Sequence, residues 1–329
     1  MKFLIAGFGS IGRRHMRNLM ALGEHDILLY RSHHSTLPTS EIEDIPVETD
    51  LQTALAHKPD AVIISNPTAL HLDVAIPAAQ AGCHLFIEKP LSHDLQRVEM
   101  LQSALQHGGG NLLMGFQFRY HPTLQKAAQW IQAGAIGRLV SVRAEWGEYL
   151  PDWHPWEDYR QSYAARADLG GGVVRTLCHP FDYFRWLFGE VSSLFAFTRP
   201  LPELDLELDG VAEIGLSFAG GVTASLHLDY IRRPARHTLE VTGSQGVLAW
   251  DNASGTLTCQ QVGQNKTDTV LPPEGFERNL LFMEQMRHFL QVVGGQAAPI
   301  CTLQDGIKAQ ALVLAVLESA HWGKLIHVA

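Results

Sequence analysis

Cysteine is scarce in this sequence: four residues, Cys83, Cys178, Cys259 and Cys301, lie far apart in 329 positions and form no C-x-x-C pair. That pattern excludes a disulfide framework and a zinc ribbon, and leaves reduced thiols in a cytoplasmic protein as the expectation. No apolar run approaches the roughly 18 residues that a membrane helix needs. The apolar start, Met1 to Ala6, runs at once into glycines, so it reads as a first strand and not as a signal peptide. Clustered Lys and Arg are also missing, and the net charge is −9, which argues against nucleic acid and for small-molecule partners. What is present is apolar material: 46% of the chain is hydrophobic, enough for two domains with separate cores.

From residue 1 to about 120, short apolar runs alternate with longer amphipathic segments, the pattern of βαβ units on a parallel sheet. Strands are expected at 2–6, 26–30, 61–64, 84–87 and 111–115. Helices are expected between them, at about 11–22, 51–56, 70–81 and 94–107. After Pro122 the texture changes to a helix at about 124–133, a strand at 139–146, an aromatic-rich stretch and a helix running from Gly170–Gly172 to Phe188. Alternating strands with turn signals at Gly220-Gly221 and Gly243-Ser244 follow, then helical patterns at 279–293 and 303–320. The expected fold class is α/β: an N-terminal Rossmann domain with a doubly wound parallel sheet (1–120), and a C-terminal α+β domain with an open, mainly antiparallel sheet (121–329).

Gly7-x-Gly9-x-x-Gly12 follows the first strand and opens a helix. In that context Gly7 permits the tight turn, Gly9 lets backbone approach a pyrophosphate, and Gly12 lets helix pack on strand, with the first-turn residues Ser10 and Ile11 facing the phosphates. The residue meeting the adenosine ribose falls about 20 positions beyond the glycines, at Arg31-Ser32. A guanidinium and a hydroxyl there suit a 2′-phosphate, so NADP is preferred over NAD, against the plainer reading that Arg31 lies across the adenine or in solvent. Arg13 and Arg14 either add positive potential or are solvated.

Two further strand ends reach the same carboxyl edge. Asn66-Pro67-Thr68 contacts ribose or nicotinamide, or is a strand-to-helix turn capped by Thr68 or a neighbour. Glu88-Lys89-Pro90 places a lysine where it can hold a substrate hydroxyl, with Pro90 a candidate cis proline. Further on, Phe116 and Phe118 alternate with Gln117 and Arg119 as in a strand with one buried face, which leaves Arg119 facing cofactor or substrate. If 173–188 is one helix, Arg175, His179 and Asp182 or Tyr183 share a face, and His179 is a candidate acid/base. Trp153 and Trp156 offer stacking faces; His154 and Tyr163 are among the polar candidates beside them. His154-x-x-Glu157 lacks a third ligand, so no metal is expected.

Taken together, Gly7-x-Gly9-x-x-Gly12, Glu88-Lys89-Pro90, "GFQFRYHP" and the glycine run before His179-x-x-Asp182 resemble the glucose-fructose oxidoreductase / inositol dehydrogenase / MocA family along nearly the whole chain. The resemblance implies an NAD(P)-dependent oxidoreductase acting on a secondary hydroxyl or ketone of a sugar, sugar derivative or polyol, with Lys89 and His179 as the catalytic pair. The aromatic segment resembles a branch tied to surface-sugar metabolism. One departure stands out: many relatives carry aspartate four residues before the histidine, where this chain has Arg175. Arginine there favours an anionic substrate group, or turns into a salt bridge. Two rival readings keep the same fold: a non-catalytic sensor of NADP and sugar, and a cofactor-retaining glycosidase. The open face of an antiparallel sheet invites pairing, so a homodimer or homotetramer is expected.

Overall fold

The computed structural model describes residues 1–31 and 42–328. Its backbone packing forms two compact units: Met1–Gln117 with Asp168–Gly170 and Arg278–Gln310, and Phe118–Ala167 with Gly171–Glu277 and the chain from Ala311 onward.

The first unit is built on a six-stranded parallel sheet in the order β3-β2-β1-β4-β5-β6. Its strands are β1 (Lys2–Ala6), β2 (Asp26–Tyr30), β3 (Val47–Glu48), β4 (Ala61–Ile64), β5 (His84–Ile87) and β6 (Leu112–Met114). Helices α1 (Ser10–Ala21), α2 (Leu51–Ala56), α3 (His71–Gln80) and α4 (Val98–Gly108) connect them. Phe3–Ala6 and Ala61–Ile64 are wholly buried, which is why these strands read as unbroken apolar runs and do not alternate. Strand order reverses between β1 and β4, and the carboxyl ends of strands at such a reversal are where doubly wound folds take ligands. The two-residue β3 was not expected; it is too short to carry a periodic signal.

The segment Arg278–Gln310, which the sequence groups with 121–329, packs with this first unit. The physical reason lies at the sheet edge. Met114 N donates to Cys301 O at 3.0 Å, and Gln285 Nε2 donates to Met114 O at 3.3 Å, so the returning chain satisfies the outer side of β6.

The second unit holds a nine-stranded sheet in the order β14-β13-β12-β11-β7-β10-β9-β8-β15. These are β7 (Leu139–Tyr149), β8 (Val191–Leu201), β9 (Leu206–Phe218), β10 (Thr223–Asp229), β11 (Ile231–Gly243), β12 (Gly246–Asp251), β13 (Thr256–Gln261), β14 (Asp268–Val270) and β15 (Ile326–His327). Only the β7–β10 pair is parallel; hairpins close at both expected glycine turns. The helices are α5 (Pro122–Gln132), α6 (Val173–Thr176) and α7 (His179–Phe188), followed by α8 (Arg278–Val293) in the first unit and α9 (Leu303–Trp322), whose residues divide between the units at Gln310. Leu226, Leu228, Leu239, Val241, Leu248 and Trp250 alternate into the core, while Arg143, Glu145, His227, Arg236 and Glu240 line a shallow concavity on the opposite face.

Two local expectations fail here. The helix expected from Gly170–Gly172 to Phe188 is broken at Leu177-Cys178, because a helix continuing past Thr176 needs an N–H at position 180, and Pro180 has none. Pro180 sits instead in the first turn of α7, where no N–H is required. Arg175 and His179 therefore stand on separate helices and share no helix face. Gln117–Tyr120 forms a 3-10 turn, and Phe116, Gln117, Phe118 and Arg119 are all buried, so the expected in-out alternation does not occur.

Candidate active site

In the first unit the glycine loop is shaped by backbone contacts on two sides and open on the third. Gly7 has φ +92°, and a Cβ there would lie 2.4 Å from Asn66 N; a Cβ on Gly12 would lie 2.2 Å from Gly7 O. A Cβ on Gly9 meets nothing within 4 Å. Gly9 is the N-cap of α1 and supplies no side-chain cap, and no acidic residue occupies the first turn, where Ser10 is exposed and Ile11 half-buried. An anion arriving at Gly9 thus meets the positive end of a twelve-residue helix. Ser65 secures the loop from β4, its Oγ donating to Gly7 O at 2.9 Å.

Arg31, at the end of β2, is 6% exposed, and its Nε is buried without a hydrogen-bond partner. Its guanidinium carbon lies 6.0 Å from the Phe8 ring centre, and that of Arg13 lies 4.6 Å from the same ring. Two cations therefore flank the glycine loop. Ser32 lies outside the described residues. An orphaned guanidinium donor beside an open glycine is a donor set that fits a dinucleotide phosphate.

Asn66, Pro67 and Thr68 follow β4. Thr68 caps no helix: it is buried at the start of a 3-10 turn, packed against Gly170, and α3 begins after Leu70 without a side-chain cap. Asn66 Nδ2 donates to Leu70 O at 3.0 Å, which leaves Oδ1 without a partner. His71 ties this loop to the next. Its Nε2 lies 3.0 Å from Asn66 O, and its Nδ1 lies 3.0 Å from Pro90 O and 3.3 Å from Leu91 O. Burial holds the His71 pKa below its ordinary value, so in the neutral ring one nitrogen donates at a time.

Glu88 and Lys89 follow β5, and the Lys89–Pro90 peptide is cis. The Glu88 side chain turns into the unit, where Oε1 pairs with His15 Nε2 at 2.7 Å and Oε2 accepts from Lys89 N at 3.2 Å. Burial pushes the carboxyl up, but His15 and Lys89 together outweigh it and hold its pKa below the ordinary range. Its carboxylate is thus engaged by α1 and by the backbone of Lys89. Lys89 itself is half-buried at the carboxyl edge of the sheet.

In the second unit His179 opens α7 and is 2% exposed. Its ring stacks on Trp146 at 5.6 Å and 29°, and meets Phe118 edge-on at 5.0 Å. His237 also stacks on Trp146, at 4.2 Å and 3°, and His237 Nε2 lies 3.1 Å from Tyr183 Oη. Arg119 grips Asp182 in a buried fork: Nε lies 3.0 and 3.2 Å from the two carboxylate oxygens and Nη2 2.7 Å from Oδ1. Arg119 and Asp182 are therefore committed to each other, an ion pair that fixes the start of α7.

Arg175, on α6, is half-buried. Asp209 of β9 stands at the head of that helix, its Oδ2 accepting from Val174 N at 2.9 Å. A Cβ on Gly172, where φ is +107°, would lie 2.3 Å from Asp209 Oδ1, so this glycine makes room for the carboxylate. Burial raises the Asp209 pKa from 3.8 to about 6, against the pull of Val174 N–H and Arg175.

The aromatic segment is mostly self-engaged. Trp153 is half-buried edge-on to Tyr230 at 5.6 Å, with its Nε1 unpartnered; His154 lies 5.4 Å from the exposed ring of Trp156. Tyr159 Oη donates to Leu204 O, and Arg160 pairs with Asp158 and Asp205. Tyr163 is half-buried at the start of a 3-10 turn. Sequence reasoning missed His15, His71, Trp146 and Asp209. His15 carried a local signal, as the third residue past Gly12 on the sheet-facing side of α1; the other three carried none.

Residues 1–116 match the model of the oxidoreductase family with NAD-binding Rossmann fold, and residues 124–249 match the GFO/IDH/MocA C-terminal domain. The chain belongs to the Gfo/Idh/MocA oxidoreductase family. Two relatives in this family align along almost the full length. The myo-inositol 2-dehydrogenase of Thermotoga maritima is 26% identical over 97% of this chain and 96% of its own. The D-xylose 1-dehydrogenase (NADP(+)) 2 of Haloferax volcanii is 24% identical over 100% of both chains. Among solved structures, levoglucosan dehydrogenase in complex with NADH superposes with a TM-score of 0.88 at 20% identity, covering 100% of this chain and 99% of that one. As a Gfo/Idh/MocA member the protein is an NAD(P)-dependent oxidoreductase. Among the described residues no helix is long and apolar enough to cross a membrane, and all four cysteines are free and buried.

Proposed function

We propose that the protein interconverts a secondary hydroxyl and a ketone on a sugar, sugar derivative or polyol, with NADP preferred over NAD. The observation that carries this reading lies within one sheet. At its carboxyl edge the glycine loop after β1 is open at Gly9 alone, and Lys89 follows β5, two strands away. Gly7, Gly9, Ser10, Ile11 and Gly12 would hold the pyrophosphate, Arg31 with Ser32 the 2′-phosphate, and Asn66, Pro67 and Thr68 the nicotinamide ribose. When bound, the nicotinamide supplies the hydride acceptor or donor at its C4. Lys89 Nζ donates a hydrogen bond to the reacting substrate oxygen and lowers the cost of negative charge there. The His179 imidazole takes or returns the proton of that oxygen, held in place by Trp146 and Phe118. Glu88 positions Lys89 through its backbone N–H. The names of the two full-length relatives, a polyol and a sugar dehydrogenase, support the substrate class.

The test is nicotinamide absorbance with a panel of sugars, sugar acids and polyols. Lys89→Ala and His179→Ala should each lower kcat by about 100- to 10,000-fold. Full turnover by either variant on the best substrate removes that residue from the reaction. Arg31→Ala should weaken NADP about 10- to 100-fold and NAD by less than about 3-fold; equal losses would end the 2′-phosphate assignment. The charged, open face of the nine-stranded sheet supports a homodimer or homotetramer, which light scattering would register as two or four chain masses.

A further inference from the structure

We propose that the substrate carries a negatively charged oxyacid group, a carboxylate or a phosphate, and that Arg175 binds it. This rests on the redox reading above and sharpens it to a substrate class. From Gly171 to Phe184 every residue is buried except Arg175, so its side chain is the one place where this glycine-to-helix segment reaches accessible space.

A guanidinium has five N–H donors in a rigid fork. For Arg175 the structure supplies one acceptor, Gly171 O, at 3.5 Å from Nη1, while Nε is buried with no partner. Burial pulls its pKa down, and Asp209 is the charge that opposes this. Asp209 is already spent on the head of α6, and among the described residues no carboxylate forms an ion pair with Arg175. Two neighbouring arginines show the satisfied arrangement. Arg119 forks onto Asp182, and Arg185 forks onto Glu190 with Nε and Nη2 each 2.8 Å from a carboxylate oxygen.

A partly desolvated guanidinium without an acid is costly, and an oxyanion delivered by a ligand would satisfy the fork with two parallel charge-assisted bonds. On the reading above, the phosphates of the dinucleotide would be answered in the first unit by α1 and Arg31. That leaves the substrate to bring the anion to Arg175, four residues before His179.

The experiment measures binding by calorimetry to the cofactor-loaded protein. The probes are matched sets of aldohexose, its uronate and its 6-phosphate, in the gluco, galacto and manno series. We expect at least one charged member to bind about 10- to 100-fold tighter than its neutral counterpart. Arg175→Gln should remove that margin, and Arg175→Lys, which keeps the charge and loses the fork, should retain part of it. If Arg175→Gln does not fold, the lysine variant alone must narrow the margin. Uronate against 6-phosphate identifies the oxyanion. Equal or undetectable binding within all three sets, or a margin that survives Arg175→Gln, overturns the proposal. Absorbance read in the same samples separates the two claims: a charge margin without turnover spares Arg175 and removes the redox reading, whereas turnover without a margin does the reverse.

Discussion

In the first unit the buried acid Glu88 answers a histidine, His15, through a single 2.7 Å contact; in the second, Asp182 answers Arg119 through contacts of 2.7, 3.0 and 3.2 Å. Both acids anchor a proposed catalytic residue, Glu88 beside Lys89 and Asp182 three positions past His179. The bases differ in kind. Imidazole can shed its proton if its partner is lost, whereas a guanidinium stays charged and would remain stranded. The surroundings differ as well: the first unit positions its loops through glycines and through side chains bonded to backbone groups, and the second through stacked rings and permanent charge.

The largest expected effect tests that distinction directly. Asp182→Asn should destabilise the protein by about 3–5 kcal/mol in urea unfolding, because Arg119 is left buried without its counter-charge. Glu88→Gln should cost only about 1–3 kcal/mol. A larger loss for Glu88→Gln would reverse the ranking of the two pairs.

Within the glycine loop, a further contrast separates packing from ligand access. Gly12→Ala places a Cβ 2.2 Å from Gly7 O and should lower stability by about 1–3 kcal/mol. Gly9→Ala meets nothing within 4 Å, so its unfolding midpoint should match the parent while NADP affinity, read by fluorescence titration, falls about 10-fold. Equal unfolding midpoints for the two variants would mean that the loop relaxes around Gly12.

The smallest effect is a pH dependence in the second unit. Asp209 has a folded pKa near 6 against 3.8 ordinarily, so the native state binds the proton more tightly than the unfolded chain does. Stability from this group is therefore full below about pH 4 and is lost as pH rises to about 6. Asp209→Asn should be more stable than the parent above pH 6, by on the order of 1 kcal/mol, and equal to it near pH 4. A constant difference across that range would assign Asp209 a purely structural part.

Much of the first unit was readable because its signals are local. The glycine loop and five of the six strands sit where apolar runs and turn residues placed them, since each of these strands is largely buried over a few consecutive positions. Pro180 is an equally local signal: it divides into two helices the stretch that side-chain spacing alone reads as one. The 3-10 turn at Gln117–Tyr120 misled for the opposite reason, since phenylalanines two apart look like a strand even when every neighbour is also buried. Other features had no local trace. The return of Arg278–Gln310 to the first sheet depends on which edge is left open, and nothing in 278–310 states that.

By itself the sequence determined the parallel sheet, its glycine loop and the residues ending its strands, because backbone conformation and side-chain burial there depend on neighbours within a few positions. Tertiary structure alone decided which charges are answered. Arg119 and Asp182 stand 63 positions apart and meet in a buried fork, Trp146 reaches His179 from another element, and among the described residues no acid forms an ion pair with Arg175. Such pairings follow from how strands and helices come to lie beside one another, so whether an arginine is satisfied or waits for an anion appears only once the chain has folded.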